Sequence, residues 1–283
     1  MIRRCCGDSL LRGIRAARPR AFVVGLAAGL ALFWGAADAE ITLAPLRQVI
    51  TAEAPVATYR VSNPSDRIVE ARARWLDLAA TETALAPAPD SMRPKLSAAP
   101  YLELSPAFFR LEPGGAATIT VALRKGARPP AGERRSHLLI QTEAARTPLR
   151  KAGGGLELDI GLGVSTPVIV RSGPGEARAA IGETRLLRGE DGLLELETTL
   201  LPDGEFSAYG AIVLAFAEAG APPAVIAEAD NIAAYLDAGK RRVTIPLGAR
   251  RLPAGVLEIR YEGRAEYQGR LFARRAFNIA PPE

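Results

Sequence analysis

After Glu40 the chain has no sustained helical period. Short runs in which apolar and polar residues alternate recur instead, bounded by Gly, Pro, Asn and Asp. Successive side chains on a strand point to opposite faces, so a period of two marks a strand buried on one side, and a chain built from such runs is all-β. In the first half the runs are Ile41 to Ile50, Val56 to Asn63, Ile68 to Leu76, Tyr101 to Leu104, Ala117 to Leu123, His137 to Thr142 and Leu156 to Val170. In the second half they are Leu193 to Leu200, Gly210 to Ala217, Arg241 to Pro246, Val256 to Gly263 and Arg274 to Ile279.

Seven short strands in about 130 residues match an immunoglobulin-like sandwich. The pattern stops at Arg171-Ser172-Gly173-Pro174-Gly175 and then restarts. The expected fold is therefore two immunoglobulin-like β-sandwich domains in tandem, residues 40–171 and 172–283. Leu76 to Pro100, rich in Ala, Pro and Thr, reads as a long surface loop, and Ala144 to Gly155 as another. Tyr209, Tyr235, Tyr261 and Phe277 read as core or turn residues.

Residues 1–39 read as a cleaved signal peptide. Six arginines up to Arg20 precede an apolar run from Ala21 to Trp34, too short to span a bilayer. Ala37-Asp38-Ala39 then offers small side chains to signal peptidase, predicting cleavage after Ala39. Cleavage leaves 30 basic against 29 acidic side chains, so the basic character of the whole chain belongs to the leader and does not point to nucleic acid. Both cysteines, Cys5 and Cys6, are also in the leader, so the remaining 244 residues must be stabilised by packing without disulfides.

The stock of chemistry is poor. After the leader there is one histidine, His137, and no cysteine, which leaves nucleophilic and general-base catalysis without its usual groups. His137, at a strand start, reads as half-buried and bonded to backbone. Metal-ligand spacings are missing, and the Gly153-Gly154-Gly155 run precedes an alternating strand rather than a phosphate-holding helix. No catalytic residue, metal or cofactor is expected.

The informative segment is Leu156, Leu158, Ile160, Leu162 and Val164, apolar at every second position with Glu157, Asp159, Gly161, Gly163 and Ser165 between them. Two readings fit: the last strand of the first sandwich facing its own core, or a strand offered to the incomplete sheet of a partner.

Four pieces, in this order and spacing, resemble the PapD-like periplasmic chaperones of the chaperone/usher pathway: Leu43-Ala44-Pro45-Leu46-Arg47, Val61-Ser62-Asn63-Pro64, Arg110-Leu111-Glu112-Pro113-Gly114 after Ser105-Pro106, and Gly132-Glu133-Arg134-Arg135-Ser136-His137. The resemblance spans Ile41 to about Ile279 and is stronger in the first half; Gly204 to Gly210 is similar to a segment of divergent members. It implies a non-enzymatic periplasmic protein that caps pilus or fimbrial subunits by donor-strand complementation and hands them to an outer-membrane usher. Leu158, Ile160, Leu162 and Val164 would be the inserted side chains, with Leu156 as a fifth. Arg47 would anchor the subunit's C-terminal carboxylate, and Arg171 would be an interdomain residue. The family's second anchor, a lysine, falls at Pro167, which has neither charge nor donor; either Arg171 or Arg135 substitutes, or strand pairing holds the subunit. Self-association of the empty protein is left open. The rival reading is a periplasmic or surface adhesive module of two sandwiches, which would want exposed aromatics in the Leu76 to Pro100 loop; that loop has none. A hydrolase on the same scaffold ranks last.

Overall fold

The computed structural model describes residues 41–143 and 163–280, whose regular structure is nearly all strand. The leader and the row Leu156 to Leu162 lie outside the described residues. The first half contains β1 (Thr42–Ala44), β2 (Gln48–Ile50), β3 (Val56–Ser62), β4 (Val69–Leu76), β5 (Leu78–Ala80), β6 (Leu85–Pro87), the helical turn α1 (Arg93–Leu96), β7 (Leu102–Ser105), β8 (Phe108–Leu111), β9 (Ala116–Leu123), β10 (Gly132–Glu143) and β11 (Gly163–Ser172). One sheet has the order β1-β3-β9-β7 and faces a second of order β2-β11-β10-β4-β8.

The alternation read from the sequence is what fills the space between them. On β3, Ala57, Tyr59 and Val61 are buried; Ile119 and Val121 do the same on β9. Val69, Ala71 and Ala73 of β4, Leu138 and Ile140 of β10, and Val168 and Val170 of β11 meet them from the other sheet. Each aliphatic side chain so buried is worth about 1.5–3 kcal/mol.

Three expectations need correction. Ile41 to Ile50 is two strands: the chain breaks at Pro45, β1 pairs antiparallel with β3, and β2 crosses to the opposite sheet and runs parallel to β11. Leu76 to Pro100 is not a bare loop. It forms the β5–β6 hairpin and α1 around its own small cluster of Ala79, Ala88 and Leu96, with Met92 against it. The Ala- and Pro-rich sequence carries no period that would announce this. His137 is not at a strand start, because β10 begins five residues earlier at Gly132.

The second half has β12 (Ala179–Arg188), β13 (Leu194–Pro202), β14 (Ala208–Glu218), β15 (Ala224–Ala234), β16 (Arg241–Pro246), β17 (Gly255–Gly263) and β18 (Leu271–Ile279), in sheets ordered β12-β13-β16 and β15-β14-β17-β18. Its separate core joins Leu196, Leu200, Val243 and Ile245 to Ile212, Leu214, Leu257, Ile259 and Tyr261. The fold is two β-sandwiches in tandem. β8, β12 and β15 were not foreseen. β14 is buried on both faces: outside the core, Ala211, Val213 and Ala215 are paired in register with Glu262, Arg260 and Glu258, which form ion pairs with one another.

Candidate functional site

Two features hold the residues singled out by the sequence: the outer edge of β11 and the joint between the sandwiches. β11 pairs with β10 over its whole length, from Gly163 opposite Gln141 to Ser172 opposite Gly132. On its other side β2 covers only Val168 to Val170. From Gly163 to Pro167, therefore, β11 has a sheet neighbour on one side alone among the described residues. Burial falls away along the same stretch. Val168 and Val170 are fully buried and Thr166 is 1% exposed, whereas Val164, on the same face, is half-buried against the rim of the core. Of the five residues in the predicted apolar row, Val164 alone is described, and it sits where that face leaves the core of its own sandwich.

At the joint, three arginines from the first sandwich meet acidic groups. Arg47, between β1 and β2, is 7% exposed; its Nε and Nη2 both donate to Oε1 of Glu266, at 3.2 and 2.9 Å, and its guanidinium lies 4.6 Å from the Tyr209 ring centre. Burial pulls its pKa down, but Glu266 overcomes this and the net direction is up, so the cation is secure. Arg171 donates from Nε to Glu133 at 2.9 Å and from Nη2 to the Ser207 carbonyl at 3.2 Å, and stands 3.3 Å from Glu266. Arg135 grips Asp237 with both terminal nitrogens, at 3.1 and 2.9 Å, donates to the Leu78 carbonyl and covers the Tyr235 ring at 3.7 Å. Ser207 closes the joint, donating its N–H to Glu133 and accepting from Arg171 and Tyr267.

The motifs that prompted the resemblance are thus largely structural. Gly132 to His137 places Glu133 and Arg135 at the joint, while Ser136 donates to Asp77 at 2.6 Å and accepts from the backbone N–H groups of Ala98 and Ala99. Asn63, 1% exposed, donates to the carbonyls of Arg67, Leu111 and Glu112 and accepts from Ser65, tying the end of β3 to the end of β8. Nothing in the alternation reveals Glu266 or Asp237 as partners, since they lie 219 and 102 residues from Arg47 and Arg135.

Beside the joint is a cleft of about 220 Å³, walled by Ala80, Ala84 and Leu85 of the hairpin on one side and by Tyr209, Tyr235 and Arg241 of the second sandwich on the other, with Leu46 and Pro167 at its base. Tyr209 and Tyr235 are therefore joint and cleft residues, and burial raises the pKa of both. Arg241 is the sole charged side chain among the cleft's lining residues and has no acidic partner among the described residues. Pro167 connects the two features: it closes the uncovered edge of β11 and lines the cleft.

His137 is 2% exposed, and neither ring nitrogen has a hydrogen-bond partner among the described residues, contrary to the backbone bond expected of it. Desolvation first, then neighbouring Arg135, pushes its pKa down to about 4. A buried neutral imidazole with no proton partner is a packing element. Among the described residues no group of three or more His, Cys, Asp or Glu could hold a metal ion.

No protein-family model matches the chain, and no curated protein matches it. Solved structures match it at low sequence identity. The E. coli chaperone DraB is 12% identical over 86% of this chain and 96% of its own, with a TM-score of 0.41. The Pseudomonas aeruginosa CupB2 chaperone is 14% identical over 85% and 100%, with a TM-score of 0.42. A structure of the Salmonella enterica SafA pilin in complex with the SafB chaperone matches at 15% identity over 84% and 96%, with a TM-score of 0.39.

Proposed function

We propose that this chain is a divergent PapD-like chaperone, exported to the periplasm by a leader cleaved after Ala39, with residues 40–171 and 172–283 as its two domains, which caps fimbrial subunits by lending them a strand and delivers them to an outer-membrane usher. The observation that carries this reading is the outer edge of β11, which has no sheet neighbour from Gly163 to Pro167 among the described residues and follows in sequence on the apolar row Leu156, Leu158, Ile160, Leu162 and Val164. A subunit that lacks one strand of its sheet exposes unpaired backbone groups and an open apolar groove, and an added strand supplies both the hydrogen bonds and the alternating side chains. Four inserted aliphatic side chains contribute about 1.5–3 kcal/mol each before the costs of association. The same uncovered edge is what an empty molecule would use to pair with another copy.

In this reading the carboxylate anchor implied for Arg47 is replaced by a contact elsewhere. Arg47 is held by Glu266, Arg171 by Glu133 and Arg135 by Asp237, and the guanidinium nitrogen of Arg47 left without a partner among the described residues, Nη1, is buried. Strand pairing then holds the subunit, and a chain end passing Pro167 into the cleft meets the Arg241 cation.

The full-length chain with a C-terminal tag, expressed in its own host and recovered from the periplasm, is expected to bring down a small β-rich secreted protein in stoichiometric amount, and an Ile160→Asp variant that remains folded is expected to lose it. Equal capture by both would sink the donor-strand mechanism. Capture by neither, with the fibre genes expressed, would return weight to the adhesive-module reading.

A further inference from the structure

The β5–β6 hairpin belongs to neither sandwich core. Ala79 of the hairpin packs in a third cluster with Ala88, just after β6, and Leu96 of α1, and the two strands form a sheet of their own. It nevertheless reaches the second sandwich at two levels. Where β5 enters the turn, the Ala80 N–H donates to Asp237 Oδ2 at 2.6 Å, and Arg135, which holds the same carboxylate, also binds the carbonyl of Leu78 at the open end of the hairpin. At its tip, the Glu82 carbonyl accepts the Arg242 N–H of β16 at 2.7 Å, while the Glu82 carboxylate is shared between Arg242 and Lys240 Nζ, the latter at 3.2 Å.

Beside these attachments, along the turn end of the hairpin, the two sides do not close. The cleft of about 220 Å³ lies there, with hairpin residues as one wall. Attachment across an unfilled apolar gap by polar bonds at its rim is the construction of a joint that can part, because releasing it exposes little apolar surface and leaves both cores packed. The two levels differ in strength. The Asp237–Arg135 pair is 14% and 3% exposed, whereas Glu82, Lys240 and Arg242 are 28%, 52% and 37% exposed. Wet ion pairs of the second kind are individually weak and are screened by salt.

We propose that the β5–β6 hairpin is an electrostatic clamp between the sandwiches: Glu82 latches its turn to β16, Asp237 pins the end of β5, and release of the latch widens the cleft without unfolding either sandwich. This inference does not depend on the chaperone reading, since it concerns the joint alone.

The Arg242 amide is the reporter, being hydrogen-bonded to the hairpin only while the latch is shut. In the full-length chain, Glu82→Ala is expected to speed hydrogen exchange at Arg242 by about tenfold or more, with exchange at Ile140 and Ile259 in the two cores unchanged and the interdomain distances from small-angle scattering broadened. Should the variant fail to fold, salt raised to about 0.5 M does the same test on the unaltered chain, accelerating Arg242 selectively and broadening the same distances. Exchange at Arg242 that stays at its original rate, that rises only together with the core amides, or that rises with no change in scattering overturns the clamp.

Discussion

Arg47 and Glu266 are joined across the joint by two hydrogen bonds to a single carboxylate oxygen, with the arginine side chain 3% exposed and the glutamate 24%. The relationship fixes what each residue is for. A buried guanidinium whose carboxylate is removed keeps its desolvation cost and loses the compensation, so breaking such a pair costs more than replacing it whole. Glu266→Ala is expected to destabilise the joint by about 3 kcal/mol, seen as a lowered denaturant midpoint, and the double variant Arg47→Met with Glu266→Gln by less. A loss no larger than that of a surface pair, below about 1 kcal/mol, would mean that water reaches Arg47 and that it is free to bind an external carboxylate.

Asn63 offers a second stability test. Its amide nitrogen serves three carbonyls in a site that is 1% exposed, and its oxygen organises the turn through Ser65. Asn63→Ala leaves buried carbonyls without their donor, with an expected loss of about 2–3 kcal/mol in urea unfolding. Asn63→Asp should cost at least as much, since a carboxylate turns acceptors toward those carbonyls.

These two residues also mark how far the sequence can be read. The sandwiches are legible because Tyr59 and Ile119 alternate with polar neighbours and face one core. Asn63 stood out as part of a motif, but its three carbonyl partners did not. β15 was missed because it is an edge strand half-buried on both faces and twice shifted in register, so its sequence does not alternate. The hairpin was missed because its strands are three residues long and are held by Asp237 and Arg242, far along the chain. Arg47 could be picked out by position, but its partner could not: ion pairs between distant segments leave no local pattern.

Arg241 tests the rearranged anchor. If a partner's chain end enters the cleft, Arg241→Ala should weaken capture about tenfold, which is about 1.4 kcal/mol, through faster dissociation. Thermal unfolding of the free protein should not move, because Arg241 has no acidic partner among the described residues to lose. Unchanged affinity would place the chain end elsewhere.

His137 makes the stability depend on pH, and the sign can be worked out. An unfolded histidine titrates near 6.5, whereas the buried ring, desolvated and beside Arg135, titrates near 4. Between these values the unfolded chain binds the proton that the folded chain refuses, so stability rises with pH through this window: it is complete above about pH 6.5 and is lost as pH falls to 4. At about 1.4 kcal/mol per pKa unit, the window is worth about 3 kcal/mol at most. The groups facing the ring are Arg135, Asp77 and Asp237, and the two carboxylates oppose the shift without reversing it. His137→Leu removes the proton site and retains an apolar side chain in the same place. Its denaturant midpoint is expected to fall less steeply than that of the unaltered protein between pH 6.5 and 4.5. Parallel decline of the two would assign the acid sensitivity to the joint's carboxylates instead.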